Sequence, residues 1–395
     1  MSRQQNKSEN DFKIVVSTLP GLEKTLAGEL LALGGKEITE HTRAVSCVGD
    51  LGFLYKINFN LRTGLRVLRP IKNFVAADIK ALYNEIKKID WSGYMEKNGT
   101  LWIEASLNSE FFNHSQYVAQ VTKDAIADQF RAASGIRPSV NKERSDLRIH
   151  LHIYKDEVTV SLDSSGESLH KRGYRNATNL APLNEALAAG MILLSGWERH
   201  ITFLDPMCGS ATISIEAALI ANRIPPGYYR DDFGFIRWKN FDENLWNLIQ
   251  EKSIDRITDH QPQILASDIS ANVLKKAKSN ILNAKVEDVV KVKTTSFFDL
   301  QPATSRGMIF LNPPYGERME KDDIPKLYKE IGDKLKKDFS GHTAWMITSN
   351  LEAIKKIGLH PSRKMTLYNG ALECKFLKFE MYSGTKKTKH KSHPE

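Results

Sequence analysis

Gly307-Met308-Ile309-Phe310-Leu311-Asn312-Pro313-Pro314-Tyr315-Gly316-Glu317-Arg318 decides how the chain is read. Its first five residues form an apolar run of the kind that fills a buried strand, and two prolines then forbid further ladder hydrogen bonds. Asn312 therefore falls at the carboxyl end of a strand, where open α/β sheets bind ligands. A plainer reading stays open at this point: Asn312 starts a rigid Pro-Pro turn and Tyr315 packs beneath it.

Outward from that loop, helices and buried strands alternate regularly from Pro182 onward. The pattern predicts helices over about 183–199, 212–222, 271–282 and 324–337. Strands are expected over 201–204, 264–267, 289–295, 308–311 and 344–348. Residues 365–368 and 374–381 flank Asn369-Gly370, a hairpin signal. The expected fold is α/β, a doubly wound Rossmann-like sheet with a C-terminal antiparallel hairpin. Residues 223–262 read as an irregular insertion whose Pro225-Pro226-Gly227, Tyr228, Tyr229, Arg230, Arg237 and Trp238 suit either a substrate-facing flap or a packed excursion.

Two earlier strands end in chemistry of the same kind. The first runs into Asp205-Pro206-Met207-Cys208-Gly209-Ser210-Ala211-Thr212, an acid followed by small residues at a helix amino terminus. Such a turn lets backbone approach a ligand, with Asp205 placed for an amino group and the helix end for a carboxylate. Pro206, Cys208, Gly209 and Ser210 complete the expected cradle. The turn lacks the G-x-G-x-x-G fingerprint and the Walker lysine, which disfavours dinucleotides and nucleoside triphosphates. A Gly turn capped by Asp is the alternative. The second strand ends in Asp268-Ile269, an acid positioned for both ribose hydroxyls of an adenosine, or else a helix N-cap. Asp299, after Phe297-Phe298, is placed for an adenine amino group.

Upstream, residues 12–74 read as β-α-β-β-α-β, the order of a small ferredoxin-like domain. A second unit follows, with helices from about 78 and over 115–133 and a strand at 101–107. It closes with a hairpin in which Leu147, Ile149, Leu151 and Ile153, then Val158, Val160 and Leu162, alternate. No catalytic constellation appears in residues 1–163. The connecting His170-Lys171-Arg172-Gly173-Tyr174-Arg175 is either a solvated linker or, through Lys171, Arg172 and Arg175, a contact to nucleic acid. The expected partition is 1–70, 71–163, a linker at 164–181, 182–382, and a basic disordered tail at 383–395.

Lys and Arg total 56 against 47 Asp and Glu, a net charge of +9 that tilts the partner towards a polyanion. The three cysteines, Cys47, Cys208 and Cys374, form no C-x-x-C pair, and no H-x-x-x-H spacing occurs, so neither a disulfide framework nor a metal site is expected. With no apolar signal core at the amino terminus and no run near the ~20 apolar residues of a spanning helix, a cytoplasmic location and no membrane contact are expected.

Taken in order, D-P-M-C-G-S, D-I-S, F-F-D and N-P-P-Y-G-E-R resemble the class I S-adenosylmethionine-dependent methyltransferases that act on exocyclic amines. The resemblance covers about residues 180–382. With the upstream region and the S-L-H-K-R-G-Y-R linker, nearly the whole chain is similar to the THUMP-domain RNA guanine-N2 methyltransferases of the RlmL type, which act on 23S ribosomal RNA. This implies S-adenosylmethionine as cofactor, residues 71–163 as a THUMP RNA-binding domain, RNA as partner, and Asn312, Pro313 and Tyr315 as the catalytic set, with Pro314 against the substrate. Cys208 then lines the cofactor, since no covalent intermediate is needed. Nothing in the chain resembles a second fused methyltransferase domain. The enzyme alternatives are a tRNA guanine-N2 methyltransferase and an N6-adenine DNA methyltransferase; outside catalysis, an RNA-binding assembly factor.

Overall fold

A computed structural model describes residues 10–175, 183–314 and 323–382. In the first part of the chain the elements are β1 (Phe12–Thr18), α1 (Glu23–Leu33), β2 (Lys36–His41), β3 (Ala44–Gly49), α2 (Leu51–Asn60) and β4 (Gly64–Val75). Then come α3 (Ile79–Lys87), β5 (Thr100–Asn108), α4 (Ser115–Ser134), β6 (Ser139–Val140), β7 (Leu147–Tyr154) and β8 (Glu157–Asp163). Local chemistry sets the helix ends. The Asp50 carboxylate accepts the Phe53 N–H at 2.7 Å to start α2, and Gly135, at φ 72°, closes α4 in the left-handed conformation that favours glycine.

These strands form one sheet, ordered β2-β3-β1-β4-β8-β7-β5-β6. The expected boundary at residue 70 falls inside β4, whose first half pairs with β1 and whose second half pairs with β8, with a register shift between Pro70 and Lys72. Leu147, Ile149, Leu151 and Ile153 of β7 are fully buried, as their alternation requires.

From residue 183 the elements are α5 (Glu185–Ser195), β9 (Thr202–Asp205), α6 (Thr212–Ala221), α7 (Glu243–Ile254), β10 (Ile264–Asp268), α8 (Ala271–Asn283), β11 (Val290–Thr294), β12 (Gly307–Leu311), α9 (Asp323–Asp338), β13 (Thr343–Thr348), β14 (Arg363–Asn369) and β15 (Leu372–Glu380). The chain divides into two compact units, and the excursion Pro225–Asp255, with α7, belongs to the first although it interrupts the second. It is a packed excursion. Phe235 stacks on Tyr55 of α2 with ring centroids 4.4 Å apart, and Trp246 of α7 meets Phe59 edge-on at 5.6 Å.

The second unit carries a sheet ordered β11-β10-β9-β12-β13-β15-β14. Its strands run parallel except β15, which is antiparallel to both β13 and β14. Strand order runs outward from β9 to β11, then reverses at β12, so the β9/β12 boundary is the switch point at which such sheets bind ligands. Ile309 and Leu311 of β12, Tyr328, Ile331 and Leu335 of α9, and Met346 of β13 are all fully buried in one apolar layer beside it.

Candidate cofactor and substrate site

Strand β9 delivers Asp205 and β12 delivers Asn312 to the carboxyl ends of neighbouring strands, since Ile309 pairs with Leu204. Asp205 is wholly buried. Its Oδ2 accepts the Ser214 hydroxyl at 2.7 Å, while Oδ1 has no hydrogen-bond partner among the described residues. Burial raises its pKa to about 7; the Ser214 hydrogen bonds oppose the shift, and the charge of Asp268 adds to it. An unpartnered buried carboxylate oxygen favours a cationic donor such as an amino group.

The turn after Asp205 is held open by backbone geometry. Cys208 N–H donates to the Ser267 carbonyl at 2.9 Å, tying the turn to β10. Gly209 has φ +55°, and a Cβ added there would meet nothing within 4 Å, so the glycine serves the left-handed backbone beside open space. Ala211, at φ +64°, starts α6 without a side-chain cap. The Ser214 amide is taken by Asp205, and the amides before it in α6 are the candidate donors for an anionic group.

Asp268 ends β10 and reaches both ways: Oδ2 accepts Gly209 N–H at 3.1 Å and Oδ1 accepts Ser270 N–H at 3.0 Å. The N-cap of α8 is Ser270, so Asp268 is not the cap. Ile269 beside it is 74% exposed, an apolar surface next to the acid. Asp299 is exposed at the end of the single turn Phe297–Asp299. Cys208 is buried, and burial, then the charges of Asp205 and Asp268, push its thiol well above the ordinary range, which leaves it no nucleophile at neutral pH.

Asn312 is half-buried, between the buried Leu311 and Pro313, with Pro314 half-buried beyond. Asn312 Oδ1 is a second buried acceptor without a partner among the described residues. Tyr315, Glu317 and Arg318 lie outside the described residues, as does the tail from 383.

The linker cations fall elsewhere. Lys171 is exposed and paired to Glu167 at 2.6 Å. Arg172 is 1% exposed and lies 3.3 Å from the buried Glu216 of α6, so it is an interior ion pair and not a nucleic-acid contact. Arg175 is nearly buried and held by Glu185 and Thr212. Ser214, Glu216 and Asn280, whose Nδ2 donates to the Ser210 carbonyl at 3.2 Å, went unread in the sequence. Glu216 did leave a signal, as the lone acid in Thr-Ile-Ser-Ile-Glu-Ala-Ala-Leu-Ile-Ala. Among the described residues no group of three His, Cys, Asp or Glu is placed to hold a metal, and no helix is long and apolar enough to cross a membrane.

Three families match along the chain: an RlmL ferredoxin-like domain at residues 13–68, a THUMP domain at 76–163, and an RMKL-like methyltransferase domain at 172–378. A ribosomal RNA large subunit methyltransferase K/L of Syntrophotalea carbinolica is 39% identical over 94% of this chain and 54% of its own length. The chain thus spans about half the length of that relative. A Synechocystis protein named for an inferred RNA methyltransferase activity is 37% identical over 92% of this chain and 95% of its own. The crystal structure of SMU.472, an inferred methyltransferase complexed with SAH, superposes with TM-score 0.85 at 27% identity, covering 95% of this chain and 100% of that one.

Proposed function

The chain belongs to the RMKL-like methyltransferase family, and from that premise we propose that it methylates the exocyclic N2 amine of a guanine in large-subunit ribosomal RNA. Residues 1–163 dock the RNA and residues 182–382 carry the chemistry. S-adenosylmethionine is the cofactor and, when bound, supplies an electrophilic sulfonium methyl. Asp205 Oδ1 takes its ammonium group and the amides opening α6 take its carboxylate. Asp268 accepts from the ribose hydroxyls, with Ile269 against the adenine and Asp299 on its amino group; Pro206, Cys208, Gly209 and Ser210 form the cradle.

The guanine N2 lone pair is delocalised into the ring and is a poor nucleophile while its hydrogens lie in the ring plane. Asn312 Oδ1 and the carbonyl of Pro313 accept those hydrogens and turn the lone pair towards the methyl. Tyr315 stacks on the base after it leaves its helix, with Pro314 alongside. Transfer is direct, and the amine loses its proton afterwards. The observation that carries this reading is the buried Asn312 Oδ1, without a partner among the described residues, just past the strand next to that of Asp205: an acceptor of that kind calls for an N–H donor.

The test is nucleoside mass spectrometry of ribosomal and transfer RNA from cells with and without the protein. N2-methylguanosine that disappears from large-subunit RNA is the expected result. Loss confined to transfer RNA would move the substrate, and N6-methyladenine as the sole product would overturn the chemistry.

A further inference from the structure

Arg172-Gly173-Tyr174-Arg175 threads the interior of the second unit and straps three of its helices together. Arg172 Nε lies 3.3 Å from Glu216 Oε1, and the Tyr174 hydroxyl donates to the same oxygen at 3.2 Å. The Tyr174 carbonyl accepts Asn283 Nδ2 of α8 at 3.2 Å. Arg175 Nη2 donates to Thr212 Oγ1 at 2.6 Å and to the Leu183 carbonyl at 3.0 Å, and its Nε lies 3.3 Å from Glu185 Oε1 at the start of α5.

Thr212 is the first residue of α6, and its Oγ1 lies 3.4 Å from Ser210 Oγ within the turn that follows Asp205. That turn needs outside support. Ala211 holds a left-handed conformation that L-residues rarely adopt, and as the N-cap residue it gives α6 no side-chain hydrogen bond. Such strain persists only where the surroundings over-determine it. The guanidinium, fixed by one carboxylate and one carbonyl, supplies that constraint at the helix's first residue.

We infer that Arg175 is a positioning residue for the cofactor turn: through Thr212 it fixes the first turn of α6 and the Gly209-Ser210-Ala211 backbone, and it does not contact RNA. The inference rests on the cofactor reading of that turn given above.

The experiment measures S-adenosylhomocysteine binding by calorimetry, RNA binding by filter retention, and steady-state kinetics for the full chain and its variants. Arg175→Gln raises the dissociation constant for S-adenosylhomocysteine about tenfold, the scale of releasing Thr212 from its charge-assisted hydrogen bond. KM for S-adenosylmethionine rises in parallel, while kcat at saturating cofactor and RNA affinity stay within about twofold. Arg175→Lys, which keeps one donor, recovers part of the loss. Thr212→Val removes the same bond with every charge retained, so it carries the test if Arg175→Gln folds poorly. The double variant is no worse than Arg175→Gln alone, as members of one linkage behave. Weakened RNA binding with unchanged cofactor affinity would overturn the inference. Equal cofactor affinity in wild type and both variants would overturn it as well, whereas a wild-type protein that binds no S-adenosylhomocysteine would instead remove the cofactor reading on which it rests.

Discussion

Asp205 carries an energetic conflict that the proposed cofactor contact would resolve. Burial raises its pKa from the ordinary 3.8 to about 7, so the folded state prefers the protonated acid. The associated stability is fully present below pH 3.8 and is lost as pH rises through about 7. A cofactor ammonium reverses the preference, because it pairs only with the carboxylate. Affinity for S-adenosylhomocysteine should therefore be flat above pH 7 and weaken by up to about tenfold per unit below it. Calorimetry in buffers of different ionisation heat checks this through uptake of a proton by the buffer near pH 6, and Asp205→Asn should abolish both the slope and the proton release. On the proposed mechanism Asn312 separates binding from chemistry. Asn312→Ala should leave cofactor affinity within about twofold and lower kcat by roughly a hundredfold or more, the scale of losing one oriented polar contact in the transition state; single-turnover assays with saturating RNA measure it. That Asp205, Asp268 and Asn312 stand at the ends of apolar strands was legible, because an acid or amide there is locally anomalous. The burial of Arg172 and Arg175 was not, because a cation in a polar stretch reads as solvated until the acids that bury it, Glu216 and Glu185, are placed beside it.

At the scale of elements, periodicity located β1–β5, α1–α6, α8, α9, β7–β13 and the closing hairpin to within a few residues, with the turn at Asn369-Gly370 supplied by a glycine at φ +65°. Helix α7 escaped, although Asp242 caps it by accepting Leu245 N–H at 2.9 Å, because its surroundings mix turn residues, cations and aromatics. What holds α7 is non-local: Phe233, Phe235 and Trp246 form one aromatic cluster with Tyr55 and Phe59. Phe235 is fully buried, so Phe235→Ala should cost about 3–5 kcal/mol, read as a lower urea midpoint. In the second unit, α9 meets the turn at 353–357 backbone to backbone, and a Cβ at Gly332 would collide with the Ile357 carbonyl. Gly332→Ala raises helix propensity, yet it should destabilise by about 1–3 kcal/mol, because overpacking against backbone outweighs a propensity gain of about 1 kcal/mol. A higher melting temperature for Gly332→Ala would refute that close approach.

Across the whole molecule, the contacts that cross the expected partition left no mark in the sequence. One sheet joins the first two expected domains through β4, and the excursion at 225–255 leaves the second unit to complete the first. Pairing across such sequence separations leaves no local pattern to read. The charge balance has a separate consequence. A net charge of +9 gives the protein a favourable field for a polyanion, but a field alone does not distinguish docked RNA from loosely attracted RNA. Salt dependence does. If docking neutralises about four to six phosphates of single-stranded RNA, the affinity should fall roughly 50- to 300-fold between 50 and 200 mM salt, following a log-log slope near −0.7 per phosphate. Cofactor affinity, which on the proposed site is set by contacts inside the second unit, should change by less than about threefold over the same range, since buried pairs are weakly screened. Filter binding of ribosomal RNA and calorimetry of S-adenosylhomocysteine in parallel salt series measure the two slopes. A flat RNA slope would mean that recognition runs through bases and shape with few phosphate contacts, and the excess of lysine and arginine would then have no part in docking.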